Sequence, residues 1–227
     1  VNGVAKNVKI MSLRAVPNGD EYDKDIALAI RYAADNGATI INGSFGKGYS
    51  THSDWVHEAI KYAEKKDVLF VHAAGNDSEN IDTTKSYPND YLNGVEISSN
   101  YISVGSLEPV YGSNLVSNFS NYGKTNVDVF APGGKIYSTM PENEYKSQGG
   151  TSMAAPAVAG VAALIRSYYP KLKASQVKQI LMDSGLPLKA KVVVGGDPSN
   201  VKPFAELSRS GRSVNAYNAL VMASQIK

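Results

Sequence analysis

The chain has 227 residues, 43% of them hydrophobic, with 23 Lys and Arg against 21 Asp and Glu for a net charge of +2. That is enough for one large domain with a sizeable core. The near-zero charge argues neither for nor against a polyanionic partner, and no dense basic block marks a nucleic-acid site. With no cysteine, disulfides, thiolate metal sites and a cysteine nucleophile are excluded, and no apolar run approaches the roughly 18 residues of a membrane span.

In chain order, the first residue is Val1 with no signal-peptide pattern after it, which reads as a cut N-terminus. Residues 8–15 form a strand candidate closed by the turn signal Pro17-Asn18-Gly19. Residues 23–36 place Ile26, Ala29, Ile30 and Ala33 on one helical face, with Asn36-Gly37 as the stop. A buried strand is expected at 39–42. Residues 53–66 repeat the helical pattern through Val56, Ile60 and Ala63, with Ser53 as the expected N-cap. Strands follow at 68–71, 101–105, 127–131 and 135–139, and helices at 152–169, 175–184 and 214–225. The stretch 187–212 is irregular, with a strand candidate at 191–194. Alternation of this kind predicts an α/β fold of three layers, a mostly parallel sheet with helices on both faces.

Three short segments carry chemistry. Ser152 opens a helix of small residues (Ala154, Ala155, Ala157, Val158, Ala159 and Gly160), whose first amides favour negative charge nearby. Ser152 there is either a helix cap or a nucleophile. Asn76 lies just past the strand 68–71, where its amide can donate to a substrate oxygen or simply make a turn. Asn42-Gly43-Ser44-Phe45-Gly46 lies at another strand end, where glycine lets an extended peptide approach.

Taken together, these segments resemble one family. Gly150-Thr151-Ser152-Met153-Ala154-Ala155-Pro156, followed by Val158-Ala159-Gly160, resembles the serine motif of the subtilisin-like serine proteases. Ala73-Ala74-Gly75-Asn76 resembles that family's oxyanion-hole motif, and Ile41-Asn42-Gly43-Ser44-Phe45-Gly46 its substrate-binding strand. The runs 118–123 and 129–133 match in order and spacing, so the resemblance spans nearly all of 1–227 and is weakest at 187–212. It implies an endopeptidase working through an acyl-enzyme on Ser152. Asn76 and the Ser152 amide would bind the oxyanion. Ser44, Phe45 and Gly46 would pair with substrate backbone, Ala73, Ala74 and Gly75 would wall the S1 pocket, and Thr151 would also bind substrate. It also implies a cis Tyr87-Pro88 bond.

The same resemblance places the family's aspartate and histidine motifs upstream of Val1, so the chain is read as a peptidase domain lacking that N-terminal part and its strands. Of the three histidines, His52 and His57 are expected on the solvated surface, and His72 is the single local base candidate. Asp20, Asp23 and Asp25 read as a solvated helix start. No cofactor is required; relatives often bind calcium, but no ligand cluster stands out and no metal ligand is assigned. The expected partner is a protein or peptide substrate, with a separate N-terminal fragment or self-association across an exposed sheet edge. Relatives are mostly secreted, periplasmic or surface-exposed. The competing reading is a non-catalytic peptide-binding module that keeps the groove; an unrelated nucleotide-binding fold lacks any glycine-rich phosphate loop.

Overall fold

The computed structural model describes residues 2–16 and 18–226. Its centre is a six-stranded sheet. In chain order the strands are β1 (Ile40–Gly43), β2 (Leu69–Ala73), β3 (Tyr91–Leu92), β4 (Val95–Glu96), β5 (Tyr101–Leu107), β6 (Val129–Pro132), β7 (Ile136–Met140), β8 (Glu144–Gln148), β9 (Leu186–Pro187), β10 (Lys191–Val194), β11 (Asp197–Pro203) and β12 (Arg212–Ser213). The central order is β1-β2-β5-β6-β12-β9, parallel throughout except the β12–β9 pair. Antiparallel hairpins β3–β4, β7–β8 and β10–β11 lie outside it.

Helices cover both faces, which gives the three layers that the alternation predicts. Along β2, Leu69, Val71 and Ala73 point to one face and pack with the buried side of α3 (Thr151–Tyr168), α4 (Ala174–Asp183) and α5 (Ala216–Ser224). Phe70 points the other way, into a core built with α1 (Asp23–Asp35) and α2 (Ser53–Lys65). Period-two alternation divides one strand between two cores. β2 and β5 are buried along their whole length, as strands covered on both faces must be.

Several sequence expectations change. Residues 8–15 form no strand; they have no ladder partner among the described residues, and Ile10 is 89% exposed. β1 is an edge of the sheet, and an apolar run without a neighbouring strand has nothing to hold it there. Of the turn that should close this run, Pro17 lies outside the described residues. Ser53 is the first helical residue of α2 rather than its cap; His52 holds that position without a side-chain cap bond. His57 is buried on α2. Asp23 is buried too: Lys47 Nζ stands 2.9 Å from its carboxylate, and Ser50 Oγ (2.9 Å) and His52 N (3.0 Å) donate to it. The charge at the α1 start is thus paired rather than solvated, and these contacts hold the carboxyl below its usual range against the opposing pull of burial. The irregular 187–212 stretch contains the β10–β11 hairpin, whose Val192 and Val194 are fully buried with Phe204 and Leu207.

Candidate active site

Ser152 sits at the second position of α3, preceded by Gly150 at the cap position, which makes no side-chain cap bond. Ser152 is therefore not the helix cap. Its Oγ instead lies 3.4 Å from the Ser44 carbonyl oxygen, across to the loop that follows β1. The reverse contact is firmer: Ser44 Oγ donates to the Ser152 carbonyl oxygen at 2.9 Å. Proline at 156 explains why that oxygen is available. In an α-helix the Ser152 carbonyl would accept from the N–H four residues on, and Pro156 has none. Asn42 Nδ2 donates in turn to Ser44 Oγ at 2.9 Å. A proline one turn into the helix thus ties the serine to the Ser44 strand end.

Asn76 arrives from the carboxyl end of β2, the end of a parallel sheet where ligands bind. Its Oδ1 accepts from Thr151 N (2.9 Å) and Thr151 Oγ1 (3.0 Å), and Gly75 N donates to Thr151 Oγ1 at 3.1 Å. With Oδ1 occupied twice, Nδ2 is turned away as a donor with no partner among the described residues. The Ser152 N–H likewise has none, as expected in the first turn of a helix. Both donors lie near one point: a Cβ placed on Gly150 would stand 3.5 Å from Met153 Sδ, 3.6 Å from Ser152 N and 3.7 Å from Asn76 Nδ2. Gly75 has φ of +105°, and a Cβ there would fall 2.3 Å from Asn121 Nδ2, so this bend requires glycine.

The remaining predicted residues divide. Ser44 and Thr151 contact Ser152 or Asn76 directly, while Phe45 and Gly46 continue the Ser44 strand end. Ala73 is buried against α3, and Ala74 lines a cavity of about 440 Å³ together with Tyr87, Pro88 and Asn89. The Tyr87-Pro88 bond is cis. Gly150 and Pro156 are the site residues that the sequence reading left without a role. Among the described residues no group of three or more His, Asp or Glu is placed to hold a metal ion, and no helix is long and apolar enough to cross a membrane.

None of the histidines reaches Ser152. His52 is exposed and stacks on Trp55 with ring centroids 4.1 Å apart. His57 Nε2 pairs with Asn89 Oδ1 at 3.3 Å, and burial lowers its pKa. His72 is 2% exposed and lies on the sheet face opposite α3, where its Nε2 contacts the Phe45 carbonyl oxygen at 2.7 Å. Burial pulls its pKa down to about 4, with the Phe45 contact opposing. The single local base candidate therefore faces away from the serine.

Comparison with known proteins places the chain. The subtilase family model matches residues 1–211, and the chain belongs to that family. It is 42% identical over 168 residues to a thermophilic serine proteinase of a Bacillus species, covering 74% of this chain and 38% of that protein. Subtilisin DY of Bacillus licheniformis is 36% identical over 208 residues, covering 91% and 71%. Among solved structures, a protease from Pseudoalteromonas arctica superposes with a TM-score of 0.78 at 29% identity, covering 97% of this chain and 65% of that one. The chain thus spans between 38% and 71% of the length of these proteins.

Proposed function

We propose that this chain supplies the nucleophile, oxyanion donors and substrate edge of a serine endopeptidase, and that the base is supplied by polypeptide outside these 227 residues. The observation that carries this reading is the approach of two donors without partners, Ser152 N and Asn76 Nδ2, to one point at Gly150, two residues before the serine. Attack by Ser152 Oγ on a peptide carbonyl puts negative charge on the carbonyl oxygen, and two fixed, unpartnered donors stabilise it. Collapse of that intermediate breaks the C–N bond, the serine proton passing through the base to the departing amine, and water then releases the acyl group from Ser152 as a carboxylic acid. The strand end at Ser44, Phe45 and Gly46 pairs with substrate backbone, and Ala73, Ala74 and Gly75 bound the side-chain pocket.

The general base is the missing element. His52, His57 and His72 are the chain's three histidines, and each is engaged away from Ser152. The outer edge of β1, which pairs with no strand among the described residues, is a fitting place for further strands of the domain. Segments that carry a histidine and aspartate would dock there, as a preceding stretch or a separate fragment. Secretion, or action in the periplasm or at the cell surface, is proposed from the family's predominant placement, of which a cell wall-associated relative is one example.

The polypeptide of 227 residues alone is expected to hydrolyse a peptide ester negligibly, since in subtilisin itself losing the histidine costs about as much as losing the whole triad. Measurable turnover that Ser152→Ala abolishes would overturn this. The donor assignment has its own test. A Cβ at Gly150 meets only ordinary contacts, so Gly150→Ala should fold normally yet crowd the donors' shared space. In a form that carries the base, it should cut kcat by at least about tenfold, less than the 10² to 10³ known for subtilisin's own oxyanion asparagine. The engaged histidines also favour a second reading, a peptide-binding module without catalysis; peptide binding with no turnover in the longest natural form would select it.

A further inference from the structure

His72 has no role in the chemistry above, yet its environment is unusual for a core residue. Its ring lies among Phe45, Phe70 and Tyr101 at centroid distances of 6.1, 6.1 and 5.7 Å. An apolar ring would fill that nest without the cost of desolvating an imidazole. The one polar contact in the nest is Nε2 to the Phe45 carbonyl oxygen at 2.7 Å, and a carbonyl can only accept, so Nε2 carries the proton.

That carbonyl belongs to the segment assigned to substrate pairing. Two residues on, Lys47 exchanges two backbone hydrogen bonds of 2.9 Å with Tyr87. Gly46 between them is backed closely: a Cβ on it would meet the Tyr87 carbonyl oxygen at 3.2 Å and the His72 ring at 3.9 Å. The Phe45 N–H and both backbone groups of Gly46 have no hydrogen-bond partner among the described residues. The segment is thus held from behind at Phe45 by His72 and at Lys47 by Tyr87, while the peptide groups between remain open.

We propose that His72 is a positioning residue that fixes the Phe45–Gly46 peptide groups in the orientation that pairs with substrate backbone, a role that rests on the proposed substrate edge. Holding such groups in place before binding lowers the ordering cost that substrate would otherwise meet. The imidazole acts as a neutral donor, and its low pKa keeps it so throughout the physiological range.

Two variants separate orientation from packing. His72→Phe keeps a ring but deletes the donor; His72→Gln keeps an amide donor. Amide hydrogen exchange reads the segment without any ligand. His72→Phe should speed exchange at Lys47 by about tenfold while leaving β2 and β5 protected, and His72→Gln should stay near wild type. In calorimetry, an uncharged pentapeptide amide should bind His72→Phe about tenfold more weakly, while a dipeptide amide too short to reach Gly46 should bind unchanged. Unaltered exchange at Lys47, faster exchange over the whole sheet, or equal weakening of both peptides would overturn the proposal. If the wild-type chain binds neither peptide, the substrate-edge reading fails, and the exchange experiment still decides whether His72 holds the segment. If His72→Phe does not fold, nitrogen NMR of the wild-type ring decides: a proton on Nδ1 instead of Nε2 removes the donor and the proposal with it.

Discussion

The two ends of the central sheet handle polar groups in opposite ways. At the carboxyl ends, Ser152, Ser44, Asn76 and Thr151 are uncharged near neutral pH and are joined by hydrogen bonds that leave two donors open. At the amino end of β6, charges are buried in a cluster. Lys178 Nζ lies 2.6 Å from Glu96 and 3.7 Å from Asp128, and Arg209 lies 2.9 and 3.8 Å from the same two carboxylates. Asp90 is buried nearby, and burial pushes its pKa up to about 8. Strongly perturbed titration often marks a functional site. Here neither perturbed group touches the reacting serine: Asp90 and His72 hydrogen-bond to neither Ser152 nor Asn76. The proposed site is distinguished instead by donors without partners, which no titration reports.

That contrast can be broken first at Lys178, which is 5% exposed. Although burial pulls against it, the carboxylates of Asp128, Asp90 and Glu96 hold the ammonium pKa above its usual value. Lys178→Met leaves those carboxylates without their buried cation and should cost about 3–5 kcal/mol in urea denaturation. Asp90 gives the next effect. Its folded-state pKa is raised, so between about pH 4 and 8 the unfolded chain releases a proton that the folded chain keeps. Stability from this group therefore falls as pH rises through that window, by about 1.4 kcal/mol per unit at its steepest. Denaturation of Asp90→Asn at pH 5 and pH 8 should show that decline flattened; an unchanged slope would mean that Asp90 is ionised throughout.

At the other end the expected effects come from hydrogen bonds. Thr151→Val keeps the side-chain shape but removes the hydroxyl between Gly75 N and Asn76 Oδ1, and should cost about 1–3 kcal/mol. It should also loosen the Asn76 amide, visible as exchange broadening of its NMR signal. The smallest effect belongs to Arg209, whose side chain is 41% exposed. Arg209→Gln should cost about 0.2–1 kcal/mol, and the loss should shrink at high salt. A cost for Arg209 equal to that for Lys178 would show that burial does not set the strength of the cluster.

Much of the fold could be read from periodicity. The five helices lie within two residues of their expected bounds, and 191–194 is a strand as expected. The errors share a cause. Residues 8–15 have a strand's composition, but a strand exists only through its neighbours, and none pairs with them here. Asp23 and His57 carry the polarity of surface residues, yet each finds a partner distant in sequence, Lys47 and Asn89, that permits burial. The Glu96–Lys178 pair, 82 residues apart, left no local signal.

The sequence by itself determined the family and which residues gather around Ser152, because glycine, proline and small-residue spacing dictate the bends and close approaches that the site needs. It also bounded the chemistry, since there are only three histidines to consider. Only the tertiary structure removed the cap role from Ser152, because Gly150 holds that position, and only it turned His72 away from the serine. Both outcomes depend on which face of a helix or strand meets a distant segment. That is set by packing across the sheet, where residue 44 meets 152 and residue 76 meets 151 through hydrogen bonds that no local pattern encodes.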